Sequence, residues 1–292
     1  MLSRMNVPAI DRSLDVPLPF ACAFFGLVGA AIGSFLNVVI HRVPREQSIV
    51  FPNSACPQCH AAIKPYDNIP ILSYAILRGR CRNCGAGIAI RYPAVEALTA
   101  VLFALVTWHD GLSFALPFDL TFLAMMLALI FINAEHMILP NAITYSGLLI
   151  ALVMRLMVPY LAGPSHFDDL PMLLSVMPGR PLWIASLLCA FDGAVVGGGA
   201  LWLLGWIWER LRGEQAVGQG NVKMMLMTGA YLGWRLALVD ISFAILLMAP
   251  MVLFLLRRQH RVMLPSGVFL GIGGIIAMLF GSNFIKWCTG LF

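Results

Sequence analysis

Four cysteines stand in two short pairs whose spacing suits a metal ion. Two residues separate the cysteines of each pair and 21 residues separate the pairs, which are Cys56 with Cys59 and Cys81 with Cys84. Four thiolates at this spacing can surround one Zn²⁺ tetrahedrally. Because such a set leaves no open position for water, we predict one structural zinc ion. Two disulfide bonds are the alternative.

The charge of the loop that carries the cysteines bears on this choice. Seven cationic side chains face two acidic ones there: Arg42, Arg45, Lys64, Arg78, Arg80, Arg82 and Arg91 against Glu46 and Asp67. Loops of membrane proteins that are rich in Lys and Arg stay in the cytoplasm, where thiols remain reduced. We therefore expect zinc, bound on the cytoplasmic side.

Two polar clusters interrupt apolar runs farther along the chain. The first, Ile132–Asn141, reads INAEHMILPN, and the second, Gly218–Lys223, reads GQGNVK. Polar side chains at the edge of a membrane span are costly, which suggests a functional site. Helix capping is the alternative, since Asn, Glu and His at helix ends also bind backbone groups or water.

The composition indicates that these clusters belong to a membrane protein. Of 292 residues, 60% are hydrophobic and 11% are charged, which is typical of a polytopic membrane protein and excludes an ordinary soluble domain. The net charge of +5 comes from loops and needs no nucleic-acid partner, so membrane lipid is the expected surrounding.

Eight apolar runs predict an all-α polytopic membrane protein of about eight transmembrane helices. They lie at about 18–40, 94–113, 118–137, 141–159, 181–208, 221–235, 236–256 and 263–287. We divide the chain into an N-terminal segment with the first helix (1–41), a small cytoplasmic zinc-knuckle insertion (42–93) and a seven-helix domain (94–292). The first run is too long for the core of a signal peptide.

Several strings, in order along nearly the whole chain, resemble one family. They are GSFLNVVIHRVP (Gly33–Pro44), PNSACPQCH, NIPILSYAILRGRCRNCG, RYPAVE (Arg91–Glu96) and TGAYLGW (Thr228–Trp234), together with the two polar clusters. With the eight spans, they resemble the bacterial prepilin peptidases of type IV pilus and type II secretion systems.

The resemblance implies a bifunctional enzyme of the bacterial inner membrane. Its peptidase is a GxGD aspartyl protease that cleaves after a glycine in the leaders of type IV prepilins and pseudopilins. It then methylates the new N-terminus from S-adenosylmethionine, and the cysteine domain with Glu96 is a candidate support for that step. The catalytic aspartates of the family fall on Asn133 and Asn221, with Gly218, Gly220, Lys223 and Glu135 as supporting residues.

Both catalytic positions therefore carry an amide instead of a carboxyl group. An amide cannot accept a proton from water at neutral pH, so we expect peptidase activity to fall by roughly 10⁴-fold or more. Asn at both positions indicates an engineered inactive form, with a natural pseudoenzyme as the alternative. A non-proteolytic prepilin-binding protein and a lone methyltransferase are the rival functions, and a transporter is a more distant one.

Asp192 is an acid near the middle of the fifth apolar run. Intramembrane acids are functional candidates, but its glycine neighbours favour a hydrogen bond to an adjoining helix. We interpret Asp192 as structural.

Overall fold

The computed structural model describes residues 16–161, 181–213, 217–257 and 264–290. These residues form nine α-helices and no strand beyond two isolated bridges. The helices are α1 (Leu18–Arg42), α2 (Leu72–Ile76), α3 (Arg91–Asp110), α4 (Leu116–His136), α5 (Asn141–Leu161), α6 (Leu182–Arg212), α7 (Gln219–Leu232), α8 (Trp234–Arg257) and α9 (Ser266–Thr289).

Six of the helices in the described ranges are long and apolar enough to cross a membrane. They fall at Leu18–Arg45, Arg91–Asp110, Leu116–His136, Trp183–Leu211, Trp234–Phe254 and Ser266–Cys288. The all-α polytopic membrane class is confirmed. One helix falls on each of the eight predicted runs, but two of these helices are shorter than a membrane span: the apolar stretch Asn141–Met157 and α7, which has 14 residues.

The chain forms two compact units, and one comprises Leu14–Leu112. Within it α1 and α3 pack closely, because a Cβ at Gly33 would lie 2.7 Å from the Cα of Glu96. The buried Asn37 reinforces this contact by donating from Nδ2 to the carbonyl oxygen of Tyr92 at 3.1 Å. The string that begins at Gly33 thus joins the two helices on either side of the cysteine loop.

The other unit runs from Ser113 onward and contains α4 to α9. Its core lies along α4 and α7, whose fully buried side chains include Leu123, Met126, Leu129, Ile132, Met224, Met225 and Met227. Helices α6 and α7 touch through glycines, since a Cβ at Gly193 would lie 2.0 Å from the carbonyl oxygen of Gly229. Asp192 is buried beside this contact, and its Oδ2 has no hydrogen-bond partner among the described residues.

A buried polar cluster holds the Tyr231 end of α7. Arg155 on α5 is 1% exposed and donates from Nε to the carbonyl oxygen of Ala230 at 3.2 Å and from Nη2 to that of Tyr231 at 2.7 Å. The hydroxyl of Tyr231 donates to the carboxylate of Asp119 on α4. Because the last carbonyls of a helix lack partners within the helix, Arg155 supplies the donors that α7 needs there.

Candidate functional site

The two cysteine pairs fold into two knuckles of the same construction. A β-bridge closes each one, between Ala55 and Ala62 in the first and between Arg80 and Gly87 in the second. In each, the N–H of the first cysteine donates to the residue five positions on, at 3.0 Å for Cys56 and 2.8 Å for Cys81. The chain turns back with positive φ at His60 (56°) and Gly85 (73°).

The knuckles bring the four sulfur atoms together. The four Sγ atoms all lie within 4.8 Å of one another, and none of the four cysteines forms a disulfide bond; they are Cys56, Cys59, Cys81 and Cys84. The Sγ atoms of Cys56 and Cys84 are 3.8 Å apart, close to the ~3.8 Å that tetrahedral Zn–S bonds of ~2.3 Å require. A disulfide bond would bring two sulfur atoms to ~2.05 Å. The cluster could therefore hold one metal ion.

The protonation of the cluster also suits a cation. The backbone N–H of Ala61 and the side chain of Asn83 lower the pKa of Cys59 to about 6. The backbone N–H of Ala86 acts in the same direction on Cys84, but the neighbouring thiols and burial outweigh it and raise that pKa to about 11. Some thiols of the cluster thus ionise readily and others do not, because negative charge accumulates. A bound cation would allow all four to ionise.

An ion pair braces the second knuckle. The guanidinium of Arg82 binds the carboxylate of Asp67 through Nε at 2.9 and 3.0 Å and through Nη2 at 2.6 Å. This fork lowers the pKa of Asp67. The ion pair ties Arg82, which follows Cys81 in the second knuckle, to the linker between the two knuckles.

Glu96 has a structural contact in the same unit. It is buried in α3, and its Oε2 accepts from the backbone N–H of Ile71 at 2.7 Å. Ile71 has a φ of 61° and immediately precedes α2. Glu96 therefore anchors the strained turn that begins α2.

The structure brings the two predicted catalytic positions to one place in the second unit. Asn133 lies in the last turn of α4 and Asn221 in the first turn of α7, and both are buried. Each binds the first turn of α9. Asn133 Oδ1 accepts from the backbone N–H of Val268 at 3.2 Å, and Asn221 Nδ2 donates to Ser266 Oγ at 2.7 Å.

Close packing maintains this convergence. A Cβ at Gly267 would lie 2.8 Å from Asn133 Cγ, so the absence of a side chain there lets α9 approach α4. Gly218 caps α7 in an extended conformation, and its carbonyl oxygen accepts from the N–H of Asn221 at 3.0 Å. A Cβ at Gly220 would lie 3.1 Å from Cβ of Leu139, so α7 also fits against the loop between α4 and α5.

The two other predicted supporting residues, Lys223 and Glu135, lie outside the buried site. Lys223 Nζ donates to Asn141 Oδ1 at 3.0 Å and stands 5.5 Å from the ring centre of Tyr145. It thereby ties the starts of α5 and α7 together. Glu135 is exposed, whereas Asn133, two residues earlier on α4, is buried.

A cleft of about 410 Å³ opens beside Lys223. Helices α5, α6 and α7 form it, and its lining is mostly apolar and aromatic with two opposite charges. It is lined by Tyr145, Leu201, Trp202, Gly205, Trp206, Glu209, Val217, Gln219, Val222, Lys223 and Leu226.

Sequence reasoning missed the first turn of α9 and the buried groups of the core. The Pro-Ser-Gly sequence at 265–267 is a helix-start signal that could have drawn attention to this turn. Arg155, Asp119 and Asp240 interrupt apolar runs, and intramembrane charges are functional or structural markers. Asp240 is fully buried on α8, and neither of its carboxylate oxygens has a hydrogen-bond partner among the described residues.

Two family models match the chain. The model of the bacterial peptidase A24 N-terminal domain matches residues 27–110, and that of the type IV leader peptidase family matches residues 120–253. No solved structure matches the chain.

Curated relatives match over nearly their full length. A prepilin leader peptidase/N-methyltransferase of Pseudomonas aeruginosa is 31% identical and is aligned over 96% of this chain and 97% of its own length. Proteins of the same name from Neisseria gonorrhoeae and Aeromonas hydrophila are 32% and 34% identical. These alignments cover 94% and 90% of this chain, and 95% and 93% of the relatives.

Proposed function

Because the chain belongs to the type IV leader peptidase family, we propose that it is built as a prepilin leader peptidase and N-methyltransferase. Its substrates are type IV prepilins and type II secretion pseudopilins, cut after a glycine of the leader. It resides in the bacterial inner membrane, with the active site and the cysteine loop facing the cytoplasm. The six apolar helices and the basic loop support this placement.

The convergence of Asn133 and Asn221 on one turn of α9 carries the proposal. Two carboxyl groups at these positions would share a proton, so that one could accept a proton from water while the other donates. That is the chemistry of an aspartyl protease. The amides of this chain keep the shape of the site but supply neither group, so the chain is proteolytically silent.

The cleft beside Lys223 supports an extended peptide as the substrate. Its apolar and aromatic walls suit the hydrophobic segment of a prepilin, and Glu209 offers a carboxylate to a basic leader. The cleft borders α7 at Gln219 and Val222, on either side of Asn221 in the sequence. Asn221 does not line the cleft, and residues two apart on a helix lie about 200° apart, so a peptide held there would have to extend around α7 to reach the candidate catalytic pair.

A cleavage assay in detergent tests the peptidase assignment. Prepilin is mixed with the parent chain, the two single variants Asn133→Asp and Asn221→Asp, and the double variant. We expect cleavage by the double variant alone, with the other three slower by roughly 10⁴-fold or more. Equal inertness of all four, with prepilin still bound, would support the rival prepilin-binding protein.

The origin of the two asparagines has its own test. Substitution of both aspartates by the same near-isosteric residue favours engineering, since random decay would yield varied residues. Asn codons at both positions in the source gene would instead indicate a natural pseudoenzyme.

Zinc and S-adenosylmethionine are the proposed cofactors. The sulfur geometry supports one zinc ion bound to Cys56, Cys59, Cys81 and Cys84, which would crosslink the two knuckles. The names of the relatives support methyl transfer, for which S-adenosylmethionine is the donor. We expect the asparagine pair to leave methylation intact. Transfer of a labelled methyl group to a pre-cleaved pilin measures it directly.

A further inference from the structure

The first turn of α9 offers different hydrogen-bonding groups to the two candidate catalytic positions. Position 133 meets the backbone N–H of Val268, which can only donate. Position 221 meets the hydroxyl of Ser266, which can donate or accept. The two positions are therefore not equivalent, although both residues are buried asparagines in the chain.

Both groups belong to the first turn of α9, so the dipole of that helix acts on both positions and the difference lies in the groups themselves. The N–H of Val268 belongs to the first turn of a 24-residue helix, where unsatisfied N–H groups and the helix dipole favour negative charge. That N–H also donates to Pro265 O at 3.0 Å, so it is shared between two acceptors. A carboxylate at 133 would be a stronger acceptor of this N–H than the carbonyl oxygen of Pro265. A carboxylic acid at 221 could donate its proton to Ser266 Oγ.

We propose that the first turn of α9 is the third wall of the catalytic site, and that it assigns the base to position 133 and the acid to position 221. Ser266 is then a positioning residue that holds the proton of the acid. This inference rests on the proposed function, and it adds which of the two positions holds the base and which holds the acid.

The division gives a balanced reaction. The carboxylate at 133 takes a proton from water, whose oxygen bonds to the carbonyl carbon of the scissile peptide, while the acid at 221 gives its proton to the carbonyl oxygen. The C–N bond then breaks. The amine nitrogen receives the proton from 133, and 221 regains a proton from a hydroxyl of the intermediate. Both carboxyl groups return to their starting states.

Few other titratable groups compete for this role among the described residues. The segments that meet here carry Glu135 and His136 on α4, Tyr145 on α5 and Lys223 on α7, and Lys223 is hydrogen-bonded to Asn141. Asp240 on α8 faces Gly273 and Gly274, almost two turns farther along α9. The first turn of α9 has no titratable side chain of its own.

Infrared spectroscopy tests the assignment without relying on cleavage. The parent chain has an amide at each position, so subtracting its spectrum from that of Asn133→Asp or Asn221→Asp isolates one new carboxyl group. At neutral pH we expect a carboxylate band from the first variant and a protonated carboxyl band from the second. The opposite pattern, or the same band in both, would overturn the assignment.

The part played by Ser266 is tested in the same way. Adding Ser266→Ala to Asn221→Asp should shift or weaken the protonated band, and Ser266→Thr, which keeps the hydroxyl, should restore it. Ser242→Ala is the control, since Ser242 is exposed and bonds only to its own helix, at Leu238 O. An unchanged band in Ser266→Ala would refute the role of Ser266.

Kinetics of the double variant separate this inference from the proposed function. If the double variant cleaves prepilin, Ser266→Ala should lower kcat by at least about 10-fold and move the alkaline limb of the pH profile to lower pH, because the neutral acid loses its acceptor. Movement of the acid limb instead would reverse the roles. Absence of cleavage with the expected infrared bands would reject the peptidase and leave the assignment of protons standing.

Discussion

Arg155 offers the sharpest test of the packing in the second unit. Its guanidinium is almost fully buried and donates to two carbonyl oxygens in the last turn of α7. Substitution by Met keeps an unbranched apolar side chain of similar reach but removes both donors. The carbonyl groups of Ala230 and Tyr231 then remain buried without these donors.

The expected cost follows from these losses. Each hydrogen bond from a charged donor contributes about 1.5–3 kcal/mol, and Arg155 makes two of them to the last turn of α7. We therefore expect Arg155→Met to lower the free energy of unfolding by about 3–5 kcal/mol. Arg155→Lys keeps the charge but cannot reach both oxygens in the same geometry, so its loss should be smaller.

Unfolding in mixed detergent and SDS micelles, followed by tryptophan fluorescence, measures the change. Arg235→Met is the matched control, because Arg235 is exposed on α8 and stacks on Trp234 at 5.3 Å. Its cost should be about 1 kcal/mol or less. If Arg155→Met and Arg235→Met differ by less than about 1 kcal/mol, Arg155 is not the donor that α7 depends on.

Two further predictions concern the metal cluster and a helix contact. Without metal, the pKa of Cys59 is about 6 and that of Cys84 is about 11. At any pH between these values, a metal ion must therefore displace protons from the thiols in order to bind all four sulfur atoms. Zinc affinity, measured by chelator competition, should rise with pH across this window and fall sharply in Cys56→Ser; a pH-independent affinity would contradict the thiolate assignment. Gly193→Leu should destabilise the chain by about 3 kcal/mol or more, since its Cβ alone would meet Gly229 O at 2.0 Å. The control is Gly199→Leu, whose Cβ meets nothing within 4 Å, and equal thermal unfolding of the two variants would disprove the close contact.

Local patterns predicted the parts of this protein that depend on neighbouring residues. The cysteine cluster follows from two pairs of fixed spacing, because each knuckle is closed by bonds within eight residues. The long helices follow from apolar runs of the length that a bilayer requires. Resemblance to a family, rather than spacing, identified Asn133 and Asn221 as partners.

The parts that were missed depend on distant contacts. Val268 lies 135 residues from Asn133 along the chain, and Ser266 lies 45 residues from Asn221, so no periodicity connects them. The bond from Arg155 to Tyr231 spans 76 residues. Average hydropathy over a span conceals such single charges, which is why Arg155 passed as part of an apolar run. The predicted boundaries at 41 and 93, and the roles of the site residues, stay predictions, and residues 1–15 of the N-terminal segment lie outside the described part.

The shortness of α7 has a consequence for the surrounding lipid. Its 14 residues extend about 21 Å at 1.5 Å each, whereas the hydrocarbon layer of a bilayer is about 30 Å thick. Arg155 satisfies the carbonyl groups at one end from within the protein, so that end can remain below the headgroups without water. The short helix is thereby accommodated inside the protein, and α7 is not among the six helices of the described ranges that could cross a membrane. In the proposed orientation, Asn221 at the opposite end of α7 would face the headgroups, from which a water molecule and a polar peptide can both arrive.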